Sequence, residues 1–127
     1  MPKISAETAP HVEDMGVMEG RIQGTDTQIE LPYAPDNLGH IVRFGVRAGD
    51  ILIATEPPHG LSARNVLGGR LEVLRREGTT VVALVDAGAR LEVHVTPGAV
   101  SALDLSPGQD VWLIVKTHSF RRLEPSN

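Results

Sequence analysis

An all-β fold made of two small barrels is what this sequence predicts, on three observations. Short apolar or alternating runs follow one another closely from Val17 to Val115, each too brief for a helix. Of thirteen glycines and nine prolines, most fall between the runs and supply the turns. An internal repeat then doubles the pattern. Val17-Met18-Glu19-Gly20-Arg21-Ile22 matches Val66-Leu67-Gly68-Gly69-Arg70-Leu71, and the stretch from Gly39 to Arg47 matches that from Gly108 to Lys116. The repeat has no fixed period, so it suggests two barrel-like halves rather than a solenoid.

Taken in order, residues 1–14 are polar and read as a tail or linker. Residues 15–58 form a first, trimmed half. Its strands are Val17–Ile22, the alternating Thr27–Leu31, Ile41–Val46 and, after a turn at Ala48-Gly49, Asp50–Ala54. Residues 59–127 form the second half. Arg70–Arg75 alternates, Glu77-Gly78 turns, Thr80–Val85 is largely apolar, and Arg90–Val95 alternates again. Pro97–Leu103 fits one or two helical turns, with Thr96 as N-cap and Pro97 just inside the start. Ser106–Gln109 is a turn and Val111–Val115 a buried strand.

Composition narrows the functions open to such a fold. The net charge is −4 with no basic tract, which disfavours binding driven by phosphate neutralisation. Tyr33, Phe44, Trp112 and Phe120 are the only aromatics, too few for a base-stacking platform. Phe44 and Trp112, taken as matched positions on matched strands, are expected in the core or at a dimer interface. The absence of cysteine removes thiolate chemistry and fits a cytoplasmic setting. No run is long enough to span a membrane, and the N-terminus lacks a secretory apolar centre. There is no phosphate-binding Gly-x-x-x-x-Gly-Lys loop, so ATP hydrolysis is not expected. The five histidines, His11, His40, His59, His94 and His118, form no metal-ligand spacing, and neither a resident metal nor a cofactor is expected. No Ser-His-Asp arrangement is defensible either, so the chain reads as a binding protein and not an enzyme.

Two cations stand out by their neighbours. Ser62 and Ala63 precede Arg64, and Thr117 follows Lys116. Small residues expose backbone N–H groups, hydroxyls donate without bulk, and two cations balance one dianion. Together they are the equipment for a tetrahedral oxyanion. Read from the residues alone, a solvated loop arginine and a strand-end lysine are the favoured explanation, since surface Arg and Lys are common. Asn65 is better suited to holding its own turn by bonding local backbone.

The stretch "LSARNVLGGRLEVL" resembles the opening of the small molybdate-binding mop or TOBE domain. "VHVTPGAVSALDLSPGQDVWLIVKTHSF" resembles its close, so the likeness spans residues 61 to 122. Upstream, "VRAGDILIATEPPHGLSARNVLGGR" and "HVEDMGVMEGRI" resemble the C-terminal accessory domain of molybdate importer ATP-binding subunits. The resemblance implies tandem OB-like five-stranded barrels and a homodimer with the oxyanion at the subunit interface. It implies molybdate, with tungstate beside it, as the ligand. Ser62, Ala63 and Arg64 would contact the anion, joined by Lys116 and Thr117, with Thr96 reaching in from a second subunit. In the first half Arg47-Ala48 matches Lys116-Thr117, but no Ser-Ala-Arg-Asn precedes Val17. The implied role is the sensor domain of a molybdate importer at the inner face of a membrane, without membrane insertion or nucleic acid. The alternatives are a free-standing cytoplasmic molybdate store and a structural dimerisation module without an anion.

Overall fold

Alternation of buried and exposed side chains generates ten strands in a computed structural model that describes residues 1–9, 16–34, 36 and 38–123. In the first part of the chain they are β1 (Lys3–Thr8), β2 (Val17–Ile22), β3 (Gln28–Pro32), β4 (Ile41–Gly45) and β5 (Leu52–Ala54). In the second they are β6 (Asn65–Glu77), β7 (Thr80–Asp86), β8 (Arg90–Val95), β9 (Asp110–Val115) and β10 (Arg121–Arg122), with helix α1 (Pro97–Leu103) between β8 and β9. Two single 3-10 turns, Ala48–Asp50 and Thr117–Ser119, follow β4 and β9. Thr96 caps α1 by accepting the Ala99 N–H at 3.1 Å, and Pro97 opens it, as the sequence predicts.

The strands make two five-stranded antiparallel sheets with the orders β10-β4-β1-β2-β3 and β5-β9-β6-β7-β8. The expected all-β tandem of OB-like five-stranded units is present. Each unit takes its last strand from the other half of the chain. β5 leaves the first half to pair with β9, and β10 returns from the second to pair with β4. Both sheets therefore cross the boundary drawn at 58/59. The exchanges are anchored by Ile51 and Phe120, each 2% exposed, which follow the two 3-10 turns into one shared core.

Three further sequence expectations change. Lys3–Thr8, placed in the tail, is a strand between β4 and β2, because Ile4, Ala6 and Thr8 face inward while Lys3, Ser5 and Glu7 do not. Residues 10–14 of that tail, with His11, lie outside the described residues. The repeat also needs realigning. Matching Gly39–Arg47 with Gly108–Lys116 superposes β4 on β9 and one 3-10 turn on the other. β1 then takes the place of β6, since Ile4 pairs with Phe44 as Leu67 pairs with Leu113. β2 is the counterpart of β7, so the match of Val17–Ile22 to Val66–Leu71 fails. Finally, Phe44 corresponds to Leu113, and both are buried, whereas Trp112 corresponds to the exposed Arg43. Trp112 lies half-buried on the outer face beside Gly68.

Glycine is required at two places near the second sheet. Gly60 turns the chain with φ +65° ahead of β6. A Cβ on Gly69 would lie 2.6 Å from the Asp86 carbonyl oxygen, so the close approach of β6 and β7 excludes any side chain there.

Candidate functional site

Antiparallel register brings the two cationic segments to one end of the second sheet. Asn65 pairs with Val115, so Arg64 and Lys116 leave their strands at neighbouring positions. The turn after Lys116 then packs against β3 of the first sheet. Ser62 and Ala63 lie in the irregular segment between the Gly60 turn and β6, Ser62 exposed and Ala63 half-buried.

The contacts at this end converge on Glu30 of β3. Thr117 Oγ1 donates to Glu30 Oε2 at 2.5 Å, and Arg64 Nε stands 4.0 Å from Glu30 Oε1. The backbone of Glu30 is held too. Its N–H donates to Asn65 Oδ1 at 2.7 Å, and Asn65 Nδ2 donates to its carbonyl at 2.9 Å. Asn65 is 2% exposed. Its amide satisfies a donor and an acceptor on an edge strand that would otherwise lack partners. The expectation that Asn65 ties its own turn is thus replaced by a longer reach: it staples one sheet to the other.

Beside these contacts is an open cleft of about 300 Å³ lined by Glu19, Gln28, Ile29, Glu30, Arg64 and Asn65. Glu19 lies directly opposite Glu30 across β2 and β3. The Arg64 side chain is 70% exposed and the Glu30 side chain 28%. The guanidinium therefore has freedom to move, while the carboxylate is largely enclosed. Lys116 is exposed, and no ion pair forms from it among the described residues.

Of the expected site residues, the fold gathers Arg64 and Thr117 around one carboxylate, with Lys116 next to them. Thr96 lies elsewhere in the same chain. It follows β8, three strands from β9, and its hydroxyl is engaged as the cap of α1. The residue that sequence reasoning missed is Glu30. It sits on the polar face of an ordinary alternating strand, and nothing in its local sequence marks it.

The TOBE domain model matches residues 61–119. The molybdenum import ATP-binding protein ModC of Rhizobium etli is 36% identical over 93 residues, which is 72% of this chain and 26% of that protein. ModC of Mesorhizobium japonicum is 39% identical over 97 residues, covering 75% of this chain and 26% of the relative. The chain thus spans about a quarter of the length of these curated relatives. A solved structure of the cytoplasmic molybdate-binding protein ModG, with molybdate bound, superposes with a TM-score of 0.79 at 21% identity. That match covers 97% of this chain and 95% of the other, and it shows a shared fold. Among the described residues no helix is long and apolar enough to cross a membrane.

Proposed function

With residues 61–119 matching the TOBE domain model, we propose that the chain binds molybdate, and tungstate with it, at the end of the second sheet where Arg64, Lys116 and Thr117 meet. The observation that carries this reading is the register that brings Arg64 and Lys116 to neighbouring positions from distant parts of the chain. Arg64 supplies a movable guanidinium, Lys116 a second positive charge and Thr117 a hydroxyl. Ser62 and Ala63 add a hydroxyl and backbone N–H groups from the approach to β6. Thr96 belongs to this set only if a second copy of the chain supplies it, as in a homodimer with the anion at the interface. Oriented donors and two cations bind a tetrahedral dianion without any catalytic group.

The kinship with importer ATP-binding subunits supports a role as their cytoplasmic sensor domain, within a transporter complex. A ligand that touches two subunits stabilises their association, and association tightens the ligand in return. A second reading, a free-standing molybdate store, is favoured by one observation: the ModG likeness covers 95% of that chain.

Calorimetric titration with molybdate, tungstate, sulfate and phosphate tests the site. Molybdate binds the wild type, and Arg64→Ala weakens it roughly 10- to 100-fold, the worth of one charge-assisted hydrogen bond to a dianion. A folded wild-type protein that gives no heat with any of the four anions overturns the proposal.

A further inference from the structure

A site built for a dianion is expected to offer donors alone, yet here a carboxylate already occupies them. One oxygen of Glu30 takes the Thr117 hydroxyl at 2.5 Å and the other faces Arg64 Nε at 4.0 Å. The carboxylate thus meets these two groups as an oxyanion would. Its backbone cannot retreat, because Asn65 holds both the N–H and the carbonyl. Charge adds to the contrast. Arg64 and Lys116 contribute two positive charges, while Glu30 and its cross-strand neighbour Glu19 contribute two negative ones. The cluster is neutral before any anion arrives.

Resting on the oxyanion reading above, we propose that Glu30 is the specificity-determining residue of the site, a tethered competitor that every incoming anion has to displace or bond. Fully deprotonated dianions such as molybdate and sulfate gain the Thr117 hydroxyl and Arg64 only by turning the carboxylate away, and they meet its charge as they do so. An anion that carries a proton, such as hydrogen phosphate, donates that proton to Glu30 and forms a charge-assisted hydrogen bond instead. Glu30 therefore lowers affinity for molybdate and sulfate and narrows the gap between them and phosphate. The cost of displacement places the working range of the site at higher molybdate concentration than its donors alone would set.

The test is calorimetry on the full chain, wild type and Glu30→Gln, with molybdate, sulfate and phosphate under one buffer. The substitution keeps the backbone bonds to Asn65 and removes one charge. Molybdate and sulfate tighten by about tenfold or more, and phosphate tightens less or weakens. Molybdate affinity that is unchanged or lower in a folded Glu30→Gln protein overturns the inference and leaves the oxyanion reading standing. Absence of binding to both proteins overturns the two together. A second readout needs no variant: in carbon-13 spectra of the wild type, saturating molybdate shifts the Glu30 side-chain carboxyl resonance and leaves that of Glu92 in place. A Glu30 resonance that does not move when molybdate binds also overturns it.

Discussion

Glu30 on β3 and Glu92 on β8 hold the same place in their sheets, but their surroundings differ at almost every contact. The realigned repeat sets Pro2 against Asn65, Met1 against Arg64, Arg47 against Lys116 and Ala48 against Thr117. At the Glu30 end an amide holds the backbone of Glu30, while a hydroxyl and a guanidinium face its carboxylate. At the Glu92 end only the cation Arg47 survives, and the Glu92 carboxylate faces His94 on its own strand at 3.8 Å. The repeated strand order does not repeat these contacts. They come from the segment entering β6 and the turn leaving β9, and those are the places where the halves diverge.

That contrast can be broken in graded steps. The largest effect is expected from the anchors of strand exchange, which both ends share. Phe120→Ala and Ile51→Ala each cost about 3 to 5 kcal/mol, because both side chains are buried in the common core. Urea unfolding that finds either variant within 1 kcal/mol of the wild type would show the exchanged strands to be dispensable. Next comes the staple. Asn65→Ala leaves the Glu30 N–H and carbonyl without partners and costs about 2 to 4 kcal/mol, while Pro2→Ala at the matching buried position breaks no side-chain hydrogen bond and costs less. Equal losses at the two positions would erase the asymmetry. The smallest effect is at the hydroxyl. Thr117→Val costs about 1 kcal/mol through its bond to Glu30. The reciprocal Ala48→Thr adds a hydroxyl at the Glu92 end but leaves the number of molybdate sites counted by calorimetry unchanged, because Met1 and Pro2 supply neither the guanidinium nor the amide.

Much of the fold was legible because period-two alternation survives the move from sequence to sheet. Val17–Ile22 and Arg90–Val95 form strands over the predicted residues. Thr96 and Pro97 announce α1 through capping chemistry that is local by nature. β1 was not legible, because its inward residues after Ile4 are the small Ala6 and the polar Thr8, and its outward ones resemble a tail. β10 is a two-residue pairing with a strand far back in the chain, and no local pattern encodes it. The repeat was misaligned because Gly-Arg followed by an aliphatic residue occurs in both β2 and β6, although those strands occupy different positions in their sheets. At the site, the Ser-Ala-Arg-Asn stretch and Lys116-Thr117 drew notice through residue type. Glu30 could not, since its importance arises entirely from what β6 and the turn after β9 bring to it.

The crossing of β5 and β10 between sheets also sets a schedule for synthesis. β4 leaves the ribosome with one flank open, and its second neighbour, Arg121–Arg122, follows only after the whole second sheet has been made. At ordinary elongation speeds that interval is roughly 4 to 15 s. Throughout it the first sheet presents an unpaired edge to neighbouring nascent chains. The basic residues Lys3 and Arg43, which project from that part of the sheet, put like charges on every such chain and so discourage premature pairing between copies.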